Sequence, residues 1–336
     1  MPRLLIATIA IAITWAVLTL ALPGLLGPYY LQIANITAIN AILVLGLNFI
    51  LGFGGQMSLA QSAFFGIGAY AFAILEGHGM PGAPAALCAV GATAGVGFLL
   101  GWPTLRLRGH YLALATLAFA VIVEKLLLNL EDLTGGANGL PGIYGIGLAG
   151  NNHAMLGILL GLCGIGLLAT VAFAQSPLGL RVRAFRDDPL AAQAIGVNIS
   201  QLKIMLFIIS AAYAGVAGVA YVCLRGYVSP DVFAWQTTFS YLAMAVVGGL
   251  GSSIGAVLGA ILYTFGPEWL RFLQEAYFVF FGALVILVIT FFPTGLAGIL
   301  ARVVAWLPIG WLPIGRLSAP PVVARPVAPP VTGPGQ

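Results

Sequence analysis

Apolar residues fill most of the chain in stretches of about twenty, the length needed to cross a bilayer as a helix. Such runs predict membrane helices over Leu4–Leu22, about Leu31–Leu51, a run ending at Leu75, and Ala85 to about Leu105. Further runs cover about His110–Leu130, His153–Ala174, Leu202–Cys223 and Tyr277–Leu300. Two stretches break the pattern with glycine. Between Gly52 and Ser58 the sequence reads GFGGQMS, ahead of the run that ends at Leu75. Residues 236–266 are too long for one span at ~1.5 Å per residue through about 30 Å of hydrocarbon. Gly248-Gly249-Leu250-Gly251-Ser252-Ser253 divides them into two predicted short helices. Glycine-interrupted segments in matching places are the pattern of a duplicated transporter core.

Polar positions inside the apolar runs are few. Asn35, Asn40 and Asn48 fall within the second span, and Asn at membrane depth needs a partner helix or an aqueous cavity. Gln56, Ser58, Gln61 and Ser62 cluster where the next helix is expected to begin, with 58, 61 and 62 on one helical face. Together with Asn48 these four are candidates for lining a solute path. The same composition also serves as glue between helices, and the two readings carry about equal weight. Glu124 and Lys125 sit near the end of the fifth span. Snorkelling of the lysine to the interface is the plainer reading, and a buried functional carboxylate the sharper one.

One hydrophilic island, residues 176–203, interrupts the apolar sequence. It holds Arg181, Arg183, Arg186 and Lys203 beside Asp187 and Asp188. Ser176-Pro177 and Asp188-Pro189 each place a capping oxygen before a proline at the first helical position, where no amide proton is needed. The second start predicts a short helix from Pro189 to Ile195 that stops at Gly196. Its residues Leu190, Ala191, Ala194 and Ile195 would form an apolar face.

Composition fixes the class. Of 336 residues, 61% are hydrophobic and 7% charged, against about 25% charged in soluble domains. The expected fold is therefore an all-α polytopic membrane protein of about ten transmembrane helices, some short or glycine-broken. The net charge of +4 comes from basic residues at span ends and is no nucleic-acid signal. Placing Arg3, Arg106, Arg108, the island and Arg302 on the cytoplasmic side gives ten spans with both termini inside; Arg225 then falls outside against the rule. Nine spans is the competing count. Residues 1–302 form the membrane domain, and the Pro-rich stretch 303–336 reads as a disordered tail. Cys88, Cys163 and Cys223 lie in apolar segments and read as buried, inert thiols. The chain contains no GxxxxGK[ST] phosphate-binding loop.

Three stretches together resemble a known family. They are GLNFILGFGGQMSLAQSAFFGIGAY (46–70), RGHYLALATLAFAVIVEKLLLNLEDLTGGANGLPGI (108–143) and SPLGLRVRAFRDDPLAAQAIGVN (176–198). With AMAVVGGLGSSIGAVLGA (243–260), they are similar to the permeases of branched-chain amino acid ABC transporters, in particular the second of the two permease subunits. The resemblance covers roughly residues 35–300. It implies a non-catalytic subunit in the bacterial cytoplasmic (inner) membrane. Its partners would be a homologous second permease, two cytoplasmic ATPase subunits and an extracytoplasmic solute-binding protein. ATP and magnesium would be held by the ATPase subunits, with no cofactor on this chain. It also implies that the island's short helix docks in a cleft of the ATPase, through Arg186, Asp187, Asp188, Pro189, Ala191, Ala192 and Gly196. The sequence departs from the wider importer pattern at Leu190, where a glutamate commonly precedes the two alanines. A urea or short-amide importer of the same family and an ion-coupled secondary transporter are the alternatives.

Overall fold

A computed structural model describes residues 26–269 apart from 108 and 142–151, with isolated positions nearer the termini. Nearly all of the first predicted span, most of the last and the tail 303–336 lie outside the described residues. Helix α1 (Pro28–Asn48) continues into a π-helical turn over Phe49–Phe53, and α2 follows at Gln61–Gly77. Then come α3 (Gly82–Thr104), α4 (His110–Asn129) and a single turn α5 (Glu131–Thr134). Helix α6 (Asn152–Gln175) leads into the island, which holds α7 (Pro177–Asp187) and α8 (Pro189–Ala194). The chain continues as α9 (Ile199–Arg225), α10 (Thr237–Gly248) and α11 (Ser253–Trp269). Among the described residues, five helical stretches are long and apolar enough to cross a membrane: Pro28–Phe53, α3, α4, α6 and α9.

Helix α1 is the centre of the bundle, packed against α6, α9, α10 and α11. It is apolar on every side because it is buried on every side. Its asparagines are divided among its neighbours. Asn35 Nδ2 donates to the Asn152 carbonyl at the start of α6, and Asn40 Nδ2 donates to Thr264 Oγ1 on α11. Side-chain bonds of this kind average about 0.6 kcal/mol in membranes, too little to drive assembly but enough to set register.

Close packing carries more of the energy. The buried residues of α3 are Ala85, Ala89, Thr93, Gly97, Gly101 and Thr104, a stripe of small side chains at intervals of three and four. This stripe lies against α9 so closely that a Cβ on Gly97 would stand 2.6 Å from Ala211 Cβ. Small residues let helix backbones approach where lipid offers no hydrophobic drive. The stripe also corrects one expectation: Cys88 lies off it on the exposed side of α3, whereas Cys163 and Cys223 are buried.

The break in residues 236–266 is a helical hairpin, as its glycines predict. At ~1.5 Å per residue the 12 residues of α10 reach about 18 Å and the 17 of α11 about 25 Å, so neither crosses about 30 Å alone. They pack through Gly248, Gly255 and Gly259, where a Cβ on Gly259 would stand 2.0 Å from the Met244 carbonyl oxygen.

At the end of α9 away from the island, strands β1 (Leu140–Pro141) and β2 (Tyr227–Val228) pair antiparallel, Leu140 opposite Val228. Tyr227 donates its hydroxyl to the Asn138 carbonyl. Glu124 anchors the following loop, its Oε2 accepting from the Trp235 amide at 2.8 Å. Lys125 Nζ lies 3.5 Å from Glu124 Oε1, its own side chain exposed while that of Glu124 is largely covered. Glu124 is thereby a loop anchor, a role that helical spacing within α4 could not indicate.

Candidate functional site

The island folds as its capping residues dictate. Ser176 Oγ accepts from the Gly179 amide at 3.1 Å and starts α7. Asp188 Oδ1 accepts from the amides of Leu190 and Ala191 at 2.9 and 3.1 Å and starts α8. The chain leaves α8 through Gly196 at φ +82°, a left-handed position that favours glycine. Six residues cannot hold a helix alone, so α8 depends on this cap and on Ala192, which is buried beneath it.

Two faces of α8 differ in kind. Leu190 and Ile195 are 72% and 75% exposed, with Ala191 and Ala194 exposed between them. Ala192 points the other way, into the protein. Asp187, Asp188 and Pro189 are exposed at the α7–α8 corner. Between the start of α7 and the turn from α8 into α9 lies a cleft of about 460 Å³ lined by Leu178, Arg181, Ile195, Asn198, Gln201 and Met205 among others.

Helix α7 is held to the membrane body from beneath. Arg183 donates to the Ala174 carbonyl at 3.0 Å, at the end of α6. Arg186 Nη1 donates to the Gly52 carbonyl at 2.7 Å, joining the island to the π-helical turn. Lys203, buried at the start of α9, reaches the carbonyls of Leu105 and Leu107 at 3.4 and 3.3 Å. Of the island's four basic side chains, three therefore face carbonyls within the chain, and Arg181 lines the cleft. Sequence position alone presents all four as charges of a cytoplasmic loop.

The turn that Arg186 meets is irregular. The Gly54 amide donates to the Phe49 carbonyl and the Gln56 amide to the Ile50 carbonyl, both at 3.0 Å, so the helix widens and then ends. Phe49 and Phe53 hold it in place against Phe173 on α6, with ring centroids at 5.1 and 6.1 Å. Residues 55–60 run without helix. This corrects the expected common face: Ser58 precedes α2, and only Gln61 and Ser62 lie on it. The glycines ending α1 release the backbone, and residues 54–60 pass before a helix restarts at Gln61.

The two glycine breaks meet at Asn48. Its Oδ1 accepts from the Gly251 amide at 2.8 Å, and its Nδ2 donates to the Ser252 carbonyl at 3.3 Å. A Cβ on Gly52 would stand 1.9 Å from Asn48 Oδ1 and 2.5 Å from the Gly251 nitrogen. Polar side chain, π-helical turn and hairpin tip thus form one junction, with Arg186 attached to it. Helical spacing relates positions 48 and 52, but no periodicity in the sequence brings 186 and 251 to them.

The remaining candidate path residues are placed unequally. Gln61 Nε2 donates to the Leu43 carbonyl at 2.9 Å, while its Oε1 accepts from Ser210 at 3.0 Å. Ser62 Oγ accepts from Thr238 at 2.7 Å. Gln61 and Ser62 are thus hydrogen-bonded to neighbouring elements and nearly inaccessible. Ser58 is buried in the extended segment, and Gln56 Oε1 is a buried acceptor with no protein partner.

Residues 29–290 match the family described as branched-chain amino acid transport system / permease component. The chain is 34% identical over 325 residues to the high-affinity branched-chain amino acid transport system permease protein LivM of Salmonella typhimurium, covering 87% of this chain and 74% of that one. The Escherichia coli LivM gives the same identity and coverage. The LivH permease of Salmonella typhimurium is 27% identical over 285 residues, covering 77% of this chain and 91% of its own. No solved structure matches the chain. A family match across most of a chain whose helices are long enough to cross a bilayer identifies it as a multi-pass membrane protein belonging to the branched-chain amino acid transport system permease family.

Proposed function

We propose that this chain is the non-catalytic transmembrane permease subunit of an ATP-driven ABC importer for branched-chain or other apolar amino acids. The single observation that carries the reading is α8: a doubly capped helix with an exposed Leu190–Ile195 face, beside a cleft and fixed to the membrane body through α7. Such a face is a ready seat for a cytoplasmic ATPase subunit, with ATP and magnesium held there. The second permease subunit and a solute-binding protein complete the assembly. Ten spans with both termini cytoplasmic, in the bacterial inner membrane and built on a duplicated core, accord with this arrangement.

Along the path, Gln56 and Ser58 are the better contacts for a solute, since Gln61, Ser62 and Asn48 already hold neighbouring elements. Walls made mainly of Gly, Ala, Leu and Phe separate Leu from Val weakly, because one methylene is worth about 1–3 kcal/mol. Selection then rests with the binding protein.

Reconstitution in proteoliposomes with the ATPases, second permease and binding protein tests the reading. ATP-dependent leucine uptake is expected. Ala192→Arg should abolish both uptake and ATPase association while leaving membrane insertion intact, since a long cation replaces a buried methyl under α8. Urea uptake without leucine uptake would move the chain to the short-amide importers. Uptake driven by an ion gradient without ATPase would overturn the proposal.

A further inference from the structure

Arg186 belongs to the island by sequence and to the membrane core by contact. Its guanidinium donates to the Gly52 carbonyl at 2.7 Å, one of the groups freed where α1 widens into a π-helical turn. Its aliphatic stem lies over Gly55, which sits at φ +62°; a Cβ there would stand 2.9 Å from Arg186 Cγ. Gly52 in turn abuts Asn48 and the backbone of Gly251 at the tip of the α10–α11 hairpin. One residue on, Asp187 is exposed, and Asp188 caps α8. The distance from the docking helix to the broken-helix junction is thus bridged by one side chain and a hydrogen-bonded turn.

We infer that Arg186 is a positioning residue, a strut that transmits movement of the α7–α8 corner to the junction of the two glycine breaks. This rests on the docking role proposed above for α8. A fixed guanidinium–carbonyl bond suits the task, being charge-assisted and directional. The π-helical turn suits the other end, because its loosened hydrogen bonds let the backbone shift without unwinding α1. In this reading Arg186 faces the membrane domain rather than the ATPase, and the docking contacts fall to Leu190, Ala191, Ala194 and Ile195.

The test uses the complete importer with Arg186→Met, which keeps a stem of similar bulk and removes the donors, beside Arg186→Lys and Gly55→Ala. Arg186→Met should retain ATPase association and ATP hydrolysis and move roughly 10- to 100-fold less solute per ATP, the range expected for a lost charged hydrogen bond. Arg186→Lys should recover part of the loss. Gly55→Ala should uncouple similarly by displacing the stem. Unchanged solute moved per ATP in Arg186→Met overturns the strut. Loss of ATPase association in that variant also overturns it, by making Arg186 a docking residue, and leaves the permease reading standing. A wild-type chain that fails to recruit the ATPase overturns both. Amide hydrogen exchange on the wild-type importer needs no variant: ATP with vanadate should alter protection over 49–56 together with 186–196, and a silent 49–56 segment refutes the inference.

Discussion

Asn48 offers a direct measure of how the broken-helix junction is held. In Asn48→Ala the Gly251 amide loses its acceptor at 2.8 Å, within a site that is 1% exposed. The Ser252 carbonyl is less affected, because it also accepts from the Ala256 amide at 3.0 Å. One buried backbone amide is therefore orphaned, which costs about 1–3 kcal/mol. Helix-to-helix side-chain bonds in membranes average about 0.6 kcal/mol, since the groups find other partners once released. Gly251 is buried in the turn between α10 and α11, so its amide is shielded from solvent and the larger figure applies. At about 2 °C per kcal/mol, the low end for long chains, the melting temperature in detergent should fall roughly 2–6 °C. Asn48→Leu separates hydrogen bonding from volume, because leucine keeps the branched shape with somewhat greater bulk and supplies no acceptor. Both variants should melt early, followed by size-exclusion of heated samples, with faster exchange of the Gly251 amide. An Asn48→Leu protein as stable as wild type would refute the argument and make Asn48 a space-filling residue.

Two further outcomes follow from the site. Asp188→Ala removes the acceptor for two amides and should cost α8 about 1 kcal/mol, read as faster proteolysis of the island; Asp188→Asn, an equally good cap, should behave as wild type. If the asparagine variant frays like the alanine one, the carboxylate charge matters rather than the cap. Gln56→Ala removes a buried acceptor that has no protein partner, so it should change solute flux while leaving ATPase association intact; the reverse result would make the 54–60 segment packing rather than path.

Local chemistry made the starts and stops of elements legible. Ser176 and Asp188 before proline mark α7 and α8, and the glycines at 52–55 and 248–251 mark the two breaks, because capping and backbone freedom act within a few residues. Composition likewise fixed the membrane class, since a chain only 7% charged cannot cover a soluble surface. What each polar side chain meets was not legible. Asn35, Asn40 and Asn48 have one residue type and serve three partners; Arg183 and Arg186 lie three apart and tie α7 to two different elements. Ser58 looked like a neighbour of Gln61 on one helix and instead precedes it, because the π-helical turn delays the restart. The centrality of α1 was equally hidden: a helix buried in protein and a helix facing lipid are both apolar all round, so hydropathy cannot tell them apart. The sequence by itself determined the apolar spans, the capped island and the two places where helices break. Only tertiary packing decided that the breaks meet each other at Asn48 and that Arg186 reaches them, since 186 and 251 share no local rule with the helical pair 48 and 52 and are brought to it by long-range contacts alone.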